Sequence, residues 1–181
     1  MQKNIFADNV EKSGNKKVAK VIAMAEYHIP YNFHKENPIT KYAEVKPSQI
    51  HGLGLYAKVA IPKGTIWWHA RPQDVLIISK EQFLTLDSSK KSKVMENFMK
   101  SLLTYSYYER DLDALILCLD NSRYVNHSFD ANSGATEDEN GFCAVAQKNI
   151  LPGEEITEDY SKYTLCLWLK KYKEYFDPCC W

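Results

Sequence analysis

The sequence predicts an α+β fold of short, mostly antiparallel strands interrupted by a helical insertion. Three observations carry that prediction. Alternating β-prone segments separated by Gly/Pro turns follow one another from residue 42. A lysine-rich stretch with helical apolar spacing breaks in at about 79–105. Strand-like segments then resume and run to about residue 160. With 181 residues and 20.9 kDa, the chain is sized for one domain with a core that needs no staples.

Residues 1–41 read as an extension. Asn15 to Glu26 carries good helix formers, with Val18, Ile22 and Ala25 on one face, and Pro30 and Pro38 hold the following stretch irregular. Tyr42-Ala-Glu-Val-Lys46 alternates as a strand, and Pro47 to Gly54 turns the chain. Leu55 to Ile61 and Thr65 to His69 are strands joined by the tight turn Pro62-Lys-Gly64, and Asp74 to Ile78 is a further short one.

Ser79 is placed to cap a helix over Glu81–Leu86, and Asp87 with Ser88 to cap a second one reaching Tyr105, striped by Val94, Phe98 and Leu102. Ala114 to Leu119 is a buried strand, and two more lie near Ser133–Thr136 and Phe142–Ala146. After the turn Asn149-Ile-Leu-Pro-Gly153, Glu154 to Tyr160 is extended. Thr164 to Phe176 has the spacing of an amphipathic helix, stopped by Asp177-Pro178.

Composition sets limits on function. Lys+Arg and Asp+Glu both number 23, so no global charge draws the chain to nucleic acid or an anionic membrane. Five cysteines, an odd count without Cys-x-x-Cys spacing, argue against a secreted disulfide framework and for a reducing compartment. The N-terminal residues lack a signal-peptide apolar core, and no run has transmembrane length, so an intracellular location, cytoplasmic or nuclear, is expected. Twelve tyrosines suggest aromatic-lined pockets.

Three stretches carry chemistry. His51-Gly-Leu-Gly54 lets backbone take positive φ or approach a ligand closely; by itself a β-turn is the better reading. Asn121 to Asn132 crowds Asn, His, Ser and Arg where a core strand would carry Val and Ile, and such groups are costly to bury without partners. Tyr160 ends an acidic extended segment.

In this order and spacing the three resemble the SET-domain protein lysine methyltransferases. Gly52-Leu-Gly54-Leu-Tyr-Ala, with Ile61-Pro-Lys-Gly64 downstream, is similar to that family's opening motif. Arg123-Tyr-Val-Asn-His-Ser-Phe-Asp-Ala-Asn132 resembles its Asn-His motif, and Gly153-Glu-Glu-Ile-Thr-Glu-Asp-Tyr160 its Asp-Tyr motif. The resemblance covers about residues 42–163. It implies a SET fold with a pseudoknot around the Asn-His segment, and a C-terminal segment, 164–181, closing the site.

It further implies S-adenosyl-L-methionine as cofactor, held by His51, Gly52, Leu53, Gly54, Asn126 and His127. Tyr160 becomes the catalytic tyrosine at the junction of methyl donor and amine. Trp168 is the candidate to pack on the adenine, with Tyr163, Phe176 and Trp181 as rivals and core packing as the plain alternative. The expected partner is a lysine-bearing protein, a histone tail or another protein, with no direct nucleic acid or membrane contact. A catalytically silent SET-fold module that binds such a partner is the alternative.

Two departures from the family pattern stand out. Phe129 replaces a cysteine that joins a zinc site in many relatives, and Cys166, Cys179 and Cys180 do not reproduce the spacing of the rest of that site, so no metal is expected. Glu158 stands where many relatives carry the Phe or Tyr that limits methyl number; its carboxylate points elsewhere, or bonds the amine or a water, and product multiplicity stays open.

Overall fold

A computed structural model describes residues 36–71, 73–88, 92–110, 112–138, 141–163 and 166–175. The helix expected at 15–26 and the aromatics Phe176 and Trp181 lie outside the described residues. Among the described residues no helix is long and apolar enough to cross a membrane.

The chain enters through a single helical turn, α1 (Ile39–Tyr42), begun by Pro38, whose fixed φ suits a helix start. Strands β1 (Ala43–Pro47) and β2 (Leu53–Ala57) form an antiparallel pair, and β3 (Ile66–His69) follows. A second sheet is built from β4 (Val75–Ser79), β5 (Ser106–Glu109) and β6 (Ala114–Cys118), in the order β4-β6-β5. Helices α2 (Lys80–Ser88) and α3 (Lys93–Tyr105) connect β4 to β5.

The chain then returns to the first sheet through β7 (Asn126–His127), β8 (Ser133–Asp138), β9 (Gly141–Ala146) and β10 (Glu155–Glu158). That sheet is ordered β1-β2-β10-β8-β9-β3, with β7 also paired to β10. Its pairings are antiparallel except where β10 runs parallel to β7 and β8. The predicted α+β class, mostly antiparallel with a helical insertion, is what forms.

Each sheet has its own core. Leu55, Ile61, Trp67, Ala146, Ile150 and Ile156 fill the first, and Ile78, Phe83, Met99, Leu102, Leu103, Leu115 and Leu169 the second. The fully buried Trp67 sends its indole N–H to Ser133 Oγ at 2.8 Å, so the ring is buried without an orphaned donor.

Some local expectations shift. Ser79 caps α2 as expected, in a reciprocal box: Gln82 N donates to Ser79 Oγ (3.3 Å) and Ser79 N to Gln82 Oε1 (2.9 Å). The cap of α3 is Ser92, which accepts from Met95 N, and not Asp87 or Ser88, which finish α2. The buried face of α3 is Met99, Leu102 and Leu103, while Val94 (77%) and Phe98 (42%) are exposed; the stripe at i, i+4, i+8 is one step out of phase with the contact face. Strand β5 has no separate signal in the sequence, because Tyr105 to Tyr108 continues the apolar texture of the helix before it. The C-terminal segment Leu167–Tyr175 winds as 3-10 turns, with non-helical dihedrals at Leu169 and Tyr172.

Candidate active site

Strand β10 is where the three motifs meet. It pairs with β2, which holds Leu53 and Gly54, through Glu155↔Tyr56 and Ile156↔Leu55. On β7, Asn126 and His127 align with its Thr157 and Glu158, and Ser133 of β8 lies opposite Glu158. Segments about seventy residues apart in the chain become neighbours through one four-residue strand.

Side chains lock this junction. Asn126 Nδ2 donates to the carbonyls of His51 (3.2 Å) and Leu53 (3.0 Å) and to Glu155 Oε1 (2.7 Å). Glu155 also accepts from Ser48 Oγ (2.8 and 2.9 Å) and from the Tyr56 hydroxyl (3.0 Å). A Cβ on Gly54 would stand 2.2 Å from Glu155 Oε1, so a side chain there would displace the carboxylate that Ser48, Tyr56 and Asn126 hold over the turn. Gly52 meets the other glycine requirement, a left-handed φ of +48°, with open space on its Cβ side. The turn His51–Gly52 is exposed, and Asn126 and the Ser48 amide hold its carbonyls in place.

The imidazole of His127 faces the opposite end of β10. Its Nδ1 lies 3.0 Å from the Tyr160 amide nitrogen and 3.3 Å from the Glu158 carbonyl oxygen, which ties the ring to both sides of the β10 end. Phe129 packs its ring at 4.5 Å, edge to face, on His127, yet is 72% exposed. Asn132, buried at the end of the motif, substitutes for a strand neighbour: it accepts from Thr157 N (3.0 Å) and donates to the Glu155 carbonyl (2.8 Å). Asn132 is the polar side chain of the motif that is buried, and it is accommodated because both ends of its amide are bonded.

Tyr160 joins this cluster to a cavity. Its amide is tied to His127, its hydroxyl donates to the Val125 carbonyl, and its ring lies in the wall of a cavity of about 520 Å³. Trp67, Tyr107, Arg123, Ser133, Glu158 and Tyr163 share that wall; residues 51–54, 126 and 127 lie outside it. Burial, then the charge of Glu158, pushes the Tyr160 hydroxyl well above the ordinary tyrosine range, so it stays protonated, with its proton directed to the Val125 carbonyl.

Glu158 is 9% exposed. Its Oε2 accepts from the Tyr163 hydroxyl and its Oε1 from Ser133 Oγ (3.4 Å), and burial raises its pKa against the lowering effect of those bonds. Tyr107 and Tyr163 stack at 6.0 Å and 28°, and Tyr163 lies 5.9 Å from Tyr160.

Of the residues read from sequence, His51, Gly52, Leu53, Gly54, Asn126, His127 and Tyr160 therefore come together. Trp168 stands elsewhere. It packs on Phe83 (5.4 Å) and Tyr108 (6.0 Å) in the second core and donates to Asp113 Oδ1 at 2.8 Å. Glu155, Tyr107 and Ser133 escaped sequence reading; the only available signals were the doubled Glu154-Glu155 and the tyrosine run ending at Tyr108.

Comparison with known proteins agrees with this arrangement. The SET domain family model matches residues 52–161, more than half of the chain. No curated protein matches it. Among solved structures, Chaetomium thermophilum Polycomb Repressive Complex 2 is similar in fold. An apo form with a doubly substituted Ezh2 aligns at 20% identity and TM-score 0.51, over 72% of this chain and 16% of that one. An autoinhibited form bound to S-adenosylmethionine aligns at 21% and 0.51, over 74% and 16%. The chain thus spans about one sixth of those proteins, and at such identity the likeness speaks for the fold. Three motifs converging on one strand, in the order and within the residues of the family model, identify this chain as a member of the SET-domain family.

Proposed function

We propose that the protein is an S-adenosylmethionine-dependent protein lysine N-methyltransferase acting on a lysine of a histone or another protein. The observation that carries this reading is the double attachment of Tyr160. Its backbone is bonded to the His127 end of the motif junction, and its ring forms the wall of an aromatic cavity. One residue thereby borders both a cofactor cradle and a side-chain channel.

The residues present fit the cofactor. The turn 51–54 is exposed at His51 to Leu53, leaves open space on the Cβ side of Gly52, and is held in shape by the Asn126 amide. In this reading His51 to Gly54, Asn126 and His127 hold S-adenosylmethionine, which when bound supplies a methyl group on a sulfonium. Asn126 acts by fixing the shape of the turn, since its N–H groups are engaged there.

A lysine amine must be neutral to accept a methyl group, against a solution pKa of about 10.4. A cavity walled by Trp67, Tyr107, Tyr160 and Tyr163 disfavours the ammonium by desolvation. The Tyr160 hydroxyl, kept protonated, orients polar groups at the reacting end. Calorimetry with S-adenosylmethionine and transfer of labelled methyl to a panel of histones and cell extract test the proposal together. Cofactor binding with no labelled acceptor would point to the silent binding module, and absence of cofactor binding would refute the reading.

A further inference from the structure

Glu158 is a buried carboxylate short of partners. It accepts from two neutral hydroxyls, those of Tyr163 and Ser133, although an ionised carboxylate has about four acceptor sites. Among the described residues no Lys, Arg or His forms an ion pair with it, and no cation contributes to its titration. Holding such a charge away from water is costly unless a cation arrives to pair with it. Both the carboxylate and the rings of Tyr107, Tyr160 and Tyr163 belong to the cavity wall, so a cation entering the cavity finds a charge partner framed by aromatic faces.

We propose that Glu158 is the receptor for the substrate amine: its carboxylate binds the lysine ammonium in the tyrosine-lined cavity and takes one proton from it. The identity of the occupant rests on the methyltransferase reading above. In the step an N–H bond of the ammonium breaks and an O–H bond forms on Glu158. The ion pair becomes a neutral amine hydrogen-bonded to a carboxylic acid, with no net change of charge. The proton transfer and the hydrogen bond to Glu158 both require an N–H on the ligand, so a lysine ammonium gains an interaction that a quaternary trimethylammonium lacks.

The phenols and the thiol around Glu158 are held in their neutral forms. Tyr107 on β5, Tyr160 and Tyr163 after β10, and Cys118 on β6 are all pushed up by burial, Cys118 to about 12. On β7, His127 turns its Nδ1 to the Tyr160 amide. Glu109, Arg110, Arg123, Asp159 and Lys162 are the other charged residues of the cavity wall, and Ser133 on β8 faces Glu158 as a neutral donor whose oxygen accepts from Trp67 on β3.

The test is an NMR titration of the full chain with n-butylammonium, which has the end of a lysine side chain, and with n-butyltrimethylammonium. The expected result is at least tenfold tighter binding of n-butylammonium by the natural protein, with the preference lost in Glu158→Gln. As the pH is lowered from 8 toward the ordinary carboxylate range that affinity should fall as Glu158 takes up its proton, and it should stay flat in the variant. Equal binding of the two cations by the natural protein, or an affinity independent of pH, overturns the proposal even if the variant does not fold. Calorimetry with S-adenosylmethionine separates the two readings. Cofactor binding without amine selectivity removes the role of Glu158 alone, and amine selectivity without cofactor binding removes the methyltransferase reading.

Discussion

The first sheet keeps polar side chains in its interior: Asn132, Ser133, Thr157 and Glu158 are all buried on or beside β8 and β10. The second sheet and its helices are built on hydrocarbon and aromatic contacts, from Ile78 and Phe83 to Leu115 and Leu169. In the first region, specific hydrogen bonds fix where each group sits, and one missing partner leaves a buried dipole exposed to no solvent. In the second, contacts are non-directional and add up by area. The chemistry gathers in the region whose geometry is most tightly specified, and the other region supplies one wall of the cavity through β5.

Substitutions in the two regions should separate stability from chemistry. The largest effect is expected for Phe83→Ala, which empties a fully buried ring site touching Trp168 and Tyr172 and should cost about 3–5 kcal/mol. Chemical denaturation would measure it; a loss under 1 kcal/mol would mean that the second core is not cooperative with the fold.

Tyr160→Phe is next, at roughly 2.7–4 kcal/mol in the transition state, or about a hundredfold to a thousandfold in turnover. Cofactor affinity should be retained, because the Tyr160 amide that bonds His127 is unchanged. Single-turnover kinetics beside calorimetry checks the split, and a natural rate in the variant would end the assignment.

Asn126→Ala leaves the His51 and Leu53 carbonyls and Glu155 without their shared donor, at about 1–3 kcal/mol. Thermal unfolding should report that loss, and cofactor affinity should fall with it as the turn loosens. The smallest effect belongs to Phe129→Ser. This ring is largely exposed and touches His127 only edge to face, so about 0.5–1.5 kcal/mol is the most that contact provides. A larger loss would show that the ring covers the motif junction more than its exposure implies.

A fifth measurement bears on Glu158. Its folded pKa is raised by burial, so its contribution to stability is full below the ordinary carboxylate value and lost as pH rises through the raised one. Glu158→Gln should therefore melt higher than the natural protein at neutral pH and lose that advantage at acid pH. Thermal melts at pH 4 and pH 7 would establish the sign.

Much of this was legible along the chain. Alternation and Gly/Pro punctuation placed most strands, because a two-residue period and special backbone angles are local properties. The glycines at 52 and 54, the Asn126-His127 pair and Tyr160 stand out by residue type alone. The phase of α3 was not legible, because Val94, Phe98 and Leu102 form as good a stripe as the one that is buried; only the partner surface chooses. Trp168 had an equally acceptable place on Phe83 in the second core, and its ring and its N–H are both satisfied there.

By itself, then, the sequence determined the fold class, the family and the residues that enter the junction, since these rest on local period and on motifs read in order. Tertiary structure alone decided how they are used. Pairing on β10 brings Asn126 to the turn at 51–54 and sets Ser133 beside Glu158, and folding carries Glu158 out of water among three tyrosines. A carboxylate's neighbours and its contact with solvent are properties of three-dimensional packing, which residue order does not contain.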